Sequence, residues 1–148
     1  RYGLDKAVFG YGDTGSVSSL KNLVSNLGVV SADVTGVGTA RSGLAAAGYG
    51  TGLAIFAYGT TASRLSMSNL VNIAGVIAAD VTGVGTERSE LAAASYGGDK
   101  AIFGYGRVGG STASSLSNLV SNSGVVATDT SGVGTARRGL GAAGYAFS

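Results

Sequence analysis

The sequence predicts an all-β fold built from one structural unit written three times. Three observations carry this expectation. The hexapeptide Ala-Val-Phe-Gly-Tyr-Gly at 7–12 returns as Ala-Ile-Phe-Ala-Tyr-Gly at 54–59 and as Ala-Ile-Phe-Gly-Tyr-Gly at 101–106. The apolar segments are of strand length, and none holds a 3.6-residue period over the roughly ten residues that a helix needs. Glycine supplies 27 of the 148 residues and proline none, which favours many tight turns and disfavours long helices.

The spacing is regular. Ala7, Ala54 and Ala101 stand 47 residues apart (54 − 7, 101 − 54). Asn22, Asn69 and Asn118 are separated by 47 and then 49 residues, as are Asp33, Asp80 and Asp129, and Arg41, Arg88 and Arg137. Two residues therefore enter the third unit between Gly106 and Asn118. The units run over about 3–49, 50–96 and 97–145, and the pattern spans 1–148 as one domain without a linker.

Each unit divides into four short elements, here A to D. One set of the four, running across the first unit boundary, is Arg-Ser-Gly-Leu-Ala-Ala-Ala-Gly-Tyr-Gly (41–50), Leu-Ala-Ile-Phe-Ala-Tyr-Gly (53–59), Ser-Asn-Leu-Val-Asn-Ile (68–73) and Gly-Val-Ile-Ala-Ala-Asp-Val-Thr (75–82). Ile55, Phe56, Tyr58, Val71 and Val76 suit strands, and Gly, Ser, Thr, Asn and Asp separate them. A period near 47 fits helical repeats or four-stranded propeller blades, and the strand-like segments select the blades. Strands covered on both faces should read as nearly continuous apolar runs, as Lys-Ala-Val-Phe-Gly-Tyr-Gly does. The alanines and glycines of element A fit an innermost strand, where blades converge. The expected architecture is a β-propeller arc of three four-stranded antiparallel blades.

On these residues the chain resembles the kelch-type blade. An arginine opens the inner strand, and the next strand closes on an aromatic residue and glycine. Gly-Tyr-Gly or Ala-Tyr-Gly stands where the kelch pattern has a double glycine, and the late tryptophan is missing. The longer string Asn-Leu-Val-Ser-Asn-x-Gly-Val-Val-x-x-Asp-x-x-Gly-Val-Gly-Thr-Ala-Arg also resembles tandem repeats in structural proteins of tailed phages and marine viruses. That likeness covers nearly the whole chain. It implies a propeller and, as a setting, a virion-associated protein.

Three blades do not close a ring, because a closed propeller normally takes at least four. An open arc leaves apolar blade faces bare. Self-association is therefore expected, with a six-bladed homodimer favoured and a nine-bladed homotrimer as the competitor. Inner strands end at Tyr49, Tyr96 and Tyr145, and Tyr2 falls in the same slot. The C-terminal strand near Leu140–Phe147 is expected to complete a blade whose other strands come from another chain. The first residue is Arg1, which suggests trimming from something longer.

The residue types limit the chemistry. Histidine and cysteine are absent, which removes the commonest general base and the thiolate nucleophile. Glu87 and Glu90 lie three apart in the second unit alone, which is weak support for a glycosidase pair. No catalytic residue, metal ligand or cofactor is expected. Net charge is +2 and no Lys/Arg cluster marks a nucleic-acid footprint. No apolar run reaches membrane-spanning length, and no signal-peptide pattern opens the chain. A soluble protein is expected. The Gly-x-Gly of Thr-Gly-Val-Gly-Thr-Ala-Arg lacks the third glycine and following helix of a dinucleotide site, so it reads as a structural turn.

Four further sets are singled out. Arg41, Arg88 and Arg137 open the inner strands. They either pair with Asp33, Asp80 and Asp129 to tie adjacent blades, or form a ring of guanidinium groups for a small anion. Tyr11, Tyr58 and Tyr105 follow Phe9, Phe56 and Phe103 by two residues. Both are expected on one side of element B, packing blade against blade. The loops 13–21, 60–68 and 107–117 differ most among the units and are candidate rim loops for a glycan. The leading expectation is a non-catalytic structural or binding module. A lectin-like carbohydrate or anion binder is the alternative, and a polysaccharide-active enzyme ranks third.

Overall fold

The computed structural model of the chain describes residues 5–145. The described residues form an all-β fold with eight strands. These are β1 (Ala7–Gly10), β2 (Lys21–Val24), β3 (Ala45–Tyr49), β4 (Leu53–Ala57), β5 (Ser68–Val71), β6 (Ala92–Tyr96), β7 (Lys100–Gly104) and β8 (Ser117–Val120). They pair antiparallel in three small sheets, β1-β2, β3-β4-β5 and β6-β7-β8. Ala45–Ala47, which could be helical by propensity, lies in β3 and pairs with Ala57, Phe56 and Ile55. The β3–β4 hairpin turns on Gly50 and Gly52, both at positive φ, a conformation that costs glycine little.

The fourth element is present but broken. In the second sheet the segment 76–82 meets β5 only through the isolated bridges Val71↔Ile77 and Ser68↔Val81. These two bridges differ in register by one residue, so the outer segment carries a bulge. The Asn69 side chain explains the interruption, because its amide donates to the Ala78 carbonyl at 3.0 Å and captures a ladder acceptor. Asn22 and Asn118 do the same to Ser31 and Ala127. Continuous D strands were expected; an asparagine side chain in the ladder replaces them with a bulged strip.

The apolar cores lie between sheets, not within them. Ala54, Phe56, Val71 and Ile77 bury against Val8, Tyr11 and Leu23 of the first sheet. Ile55, Ala57, Tyr58 and Tyr49 bury against Phe103, Ala101 and Val120 of the third. β4, covered on both faces, is buried from Ala54 to Ala57, which accounts for its continuous apolar run.

The two outer faces are different. Phe9 is 61% exposed, whereas its counterparts Phe56 and Phe103 are 5% and 0% exposed. Val30 is exposed, while Ile77 at the matching position is buried. Leu119 and Val133 are exposed in the third unit, while Leu70 and Val84 at the matching positions are half-buried.

The expectation that phenylalanine and tyrosine share one side of element B is corrected. Phe56 meets Tyr11 of the first sheet, ring to ring at 5.4 Å, and Tyr58 meets Phe103 of the third at 5.5 Å. The two residues face opposite neighbours. The cause is backbone conformation: Tyr11, Tyr58 and Tyr105 have φ of 65°, 64° and 63°. A left-handed residue ends the strand's two-residue alternation and turns its own side chain to the other side of the sheet.

Burial sets an expectation for stability. Phe103→Ala removes a fully buried ring and should cost about 3–5 kcal/mol. Phe9→Ala removes an exposed ring and should cost the isolated chain well under half of that. Denaturant unfolding of the two variants at low protein concentration is the check.

Candidate functional site

The recurring short motifs converge on the joints between sheets. At the first joint Arg41 is fully buried. Its guanidinium carbon lies 4.3 Å from the centre of the Tyr11 ring in the first sheet. Its Nη2 donates to Asn69 Oδ1 at 2.7 Å, and its Nε donates to the Tyr58 carbonyl at 2.8 Å, both in the second unit. One side chain therefore clamps two sheets. The second joint uses the same residue types, although Arg88 Nε and Nη1 are buried without a hydrogen-bond partner. Arg88 is fully buried, stacks on Tyr58 at 4.8 Å and donates from Nη2 to Asn118 Oδ1. Cation–π contacts are worth about 2 kcal/mol when desolvated, and here the faces are closed to water.

The aspartates belong to the same assembly but do not touch the arginines. Asn69 stands between, donating from Nδ2 to Asp80 Oδ1 at 2.8 Å while its Oδ1 accepts from Arg41. Asn118 does the same for Asp129, at 2.9 Å. The Arg–Asp pairs expected from the eight-residue spacing are thus corrected to an Arg–Asn–Asp relay. A neutral amide satisfies the guanidinium and the carboxylate at once, without bringing the carboxylate into the buried pocket.

The Gly-Val-Gly-Thr turn supplies the rest. Thr39 donates to Asp80 through its backbone N–H at 3.1 Å and through its hydroxyl at 2.7 Å. Thr86 donates to Asp129 in the same way, at 3.0 and 2.6 Å. The Tyr11 hydroxyl donates to the Val37 carbonyl and the Tyr58 hydroxyl to the Val84 carbonyl. Gly38 sits against the relay, where an added Cβ would lie 2.6 Å from Asn69 Nδ2. At Gly85 it would lie 2.7 Å from Asn118 Nδ2. Both glycines have positive φ, so two independent constraints demand glycine.

Electrostatics follow from this packing. For Asp80 and Asp129 burial alone would raise the carboxyl pKa. The hydrogen bonds from Thr39 and Asn69, or from Thr86 and Asn118, together with the nearby arginine, outweigh burial and hold it below the ordinary value. Burial pushes the Tyr58 hydroxyl up to about 12, against the pull of Arg88.

The third set of residues is split between the two ends of the chain. Tyr105 and Arg137 stack at 4.1 Å, and the Tyr105 hydroxyl donates to the Val133 carbonyl, as at the other joints. Arg137 is nevertheless exposed, and Gly134 meets only the Tyr105 hydroxyl, at 3.8 Å from an added Cβ. At the opposite end Asn22 donates to Asp33 at 2.8 Å, forming a relay that meets no arginine among the described residues. The structure brings together Arg41, Asp80 and Tyr11, and likewise Arg88, Asp129 and Tyr58. It leaves Asp33 apart from Arg137 and Tyr105. With Arg41 and Arg88 closed off from solvent, the three arginines present no shared guanidinium surface within this chain.

The variable loops contain a separate polar contact. Arg64 Nη2 and Arg107 Nε both donate to the Gly110 carbonyl, and Glu90 pairs with Arg107 and Arg138 at 3.2 and 3.5 Å. The longer 107–117 loop of the third unit thereby docks on the second. No group of three or more potential metal ligands occurs among the described residues. No helix among the described residues is long and apolar enough to cross a membrane. Sequence reasoning read Gly38–Thr39 and Gly85–Thr86 only as part of a structural turn and gave no role to Asn69 or Asn118. Their signal was available, because each returns unchanged in every unit.

The site makes two checkable statements. Gly85→Ala and Gly98→Ala impose similar strain, with φ of 76° and 81°, but an added Cβ at Gly98 meets nothing within 4 Å. Gly85→Ala should lower the melting temperature clearly more than Gly98→Ala. The aspartate shifts fix an acid limit. Stability from Asp80 and Asp129 is present above the ordinary value of 3.8 and is lost as pH falls through their lower folded values. Thr39→Val with Thr86→Val should move that acid transition to higher pH. Tyr58 fixes the alkaline side, where stability is full below about 10 and declines as pH rises toward 12. Melting temperature and tyrosinate absorbance across pH test both limits. No protein-family model matches the chain, and no curated protein shows significant similarity to it, so these joints are the ground on which a function is argued.

Proposed function

We propose that the chain is a non-catalytic structural and binding module: a partial β-propeller whose three sheets are blades, closing into a ring with further copies of itself. The observation that carries this reading is the split third joint. One end presents Tyr105, Thr135 and Arg137; the other presents the Asn22–Asp33 relay beside an exposed Phe9. These are the two halves of the joint that Tyr11, Thr39 and Arg41 make with Asn69 and Asp80, and that Tyr58, Thr86 and Arg88 make with Asn118 and Asp129. Halves at opposite ends of one chain define a heterologous, head-to-tail contact, which closes where the rotation per unit allows.

Two chains give six blades and three give nine; the dimer is the favoured closure. Of the charged residues that recur in every unit, Arg41, Arg88, Asp80 and Asp129 are committed to the two internal joints, which supports a scaffold over a reaction centre. The resemblance to viral structural repeats fits a protein that is assembled rather than one that turns over substrate.

Light scattering on a size-exclusion column, over a range of concentrations, tests the reading. The expected mass is twice that of the 14.4 kDa chain, and three times would mean nine blades. A stable monomer would overturn it. Thr135→Asp would set a carboxylate against Asp33 of the next copy and should return the protein to monomer mass with the chain still folded. Thr86→Asp, at the internal joint, should instead lower stability.

A further inference from the structure

Beyond the polar half-joint, an apolar seat lies at the same end of the chain. A cavity of about 410 Å³ opens between β6, β7 and the segment Leu140–Ala143, and Ala93, Ile102, Gly104, Tyr105, Leu140 and Ala142 are among its walls. Gly104 and Tyr105 match Gly10 and Tyr11 of the first unit and Ala57 and Tyr58 of the second. At the first joint the Phe56 ring sits there, 3.2 Å from a Cβ built on Gly10 and edge-on to Tyr11. At the second the Phe103 ring sits edge-on to Tyr58. A Cβ built on Gly104 meets nothing within 4 Å.

The segment beside this cavity runs as an inner strand without a sheet. Ser95 of β6 donates from its hydroxyl to the Gly48 carbonyl of β3 at 2.8 Å. Gly144 holds the position after Ser95 in the same series, and a Cβ built on it would lie 2.6 Å from the Ser95 carbonyl oxygen. Residues 140–144 thus follow β6 as β6 follows β3, yet they form no strand. At the other end β1 pairs with β2 alone among the described residues, and the ring of Phe9 is exposed. The sequence-based expectation placed this last inner strand at Leu140–Phe147; Ala146–Ser148 lie outside the described residues.

We infer that the cavity is the seat of β1 from a second copy of this chain, which enters as the middle strand between the C-terminal segment of the first copy and its own β2. The inference rests on the ring reading above and specifies its contact. The register is fixed by the two sheets already complete. Ala46↔Phe56 and Ala93↔Phe103 give Ala142↔Phe9; Ala47↔Ile55 and Ala94↔Ile102 give Ala143↔Val8. Tyr49↔Leu53 and Tyr96↔Lys100 give Tyr145↔Lys6. In this register Phe9 enters the cavity against Tyr105, Asn22 meets Arg137, and Asp33 meets Thr135. Apolar plug, amide and carboxylate all seat at once. A slip of one residue would turn Phe9 to the other face of the strand.

Cysteine pairing tests the register, and the chain has no cysteine of its own to compete. Val8→Cys chains are mixed with Ala143→Cys chains, dissociated, reassembled and oxidised. The expected result is a covalent dimer on a non-reducing gel, with none from either variant alone. Val8→Cys mixed with Ala142→Cys, which lie on opposite faces of the strands, should give none. Lys6→Cys with Tyr145→Cys, both at exposed positions, repeats the test should the first pair disturb folding. Monomer mass for the unaltered chain would overturn the ring and the inference together. A ring of correct mass in which neither in-register pair cross-links would overturn the strand seat alone.

Discussion

The structure depends on burying an arginine between two sheets. A guanidinium group taken out of water costs several kcal/mol unless its donors and charge are met. Arg41 meets that cost with a tyrosine ring on one sheet and an asparagine and a backbone carbonyl on the next. Because the partners lie on different sheets, the arginine holds only when both sheets are in place. Small sheets of two or three short strands bury little by themselves, so the joint, not the sheet, is the unit of stability.

This requirement accounts for features that look unrelated in the sequence. The tyrosine must lie across the arginine while the phenylalanine two residues earlier faces the opposite neighbour. Only a left-handed backbone at the tyrosine does both, and the glycine that follows carries its own positive φ of 98–109°. Such strain in a non-glycine residue of order 1–3 kcal/mol persists where surrounding contacts fix it. Here the ring is held by the arginine and by a hydrogen bond from its hydroxyl to the Gly-Val-Gly turn. The turn in turn lacks Cβ atoms where the asparagine and aspartate of the next unit press against it.

A joint made of two unlike halves has a direction. Tyrosine, threonine and arginine look forward along the chain; phenylalanine, asparagine and aspartate look back. A series of such units always leaves one half of each kind at its ends, however many units it contains. Phe9 and Val30 are exposed at one end and the cavity beside Gly104 opens at the other, and on the proposed reading these are the two unfilled halves. Ring closure is the arrangement in which no half is left over.

The all-β class, the short antiparallel strands and the turn glycines were legible in the sequence, because strand length and glycine conformation are local properties. The C-terminal segment was legible as the counterpart of Ala45–Tyr49 and Ala92–Tyr96, since the match needs only alignment. The direction in which Tyr58 points was not, because a positive φ at a tyrosine is imposed by the sheets on either side of it. The role of Asn69 and Asn118 was hidden for a related reason: opposite charges at constant spacing suggest a direct pair, and only packing shows which neutral side chain stands between them. The bulge in the fourth element came from the same asparagine. By itself, then, the sequence determined an all-β chain with the same turn chemistry written three times. Tertiary structure alone decided which faces meet, because the buried arginine selects partners across sheets, over distances that local propensity does not govern.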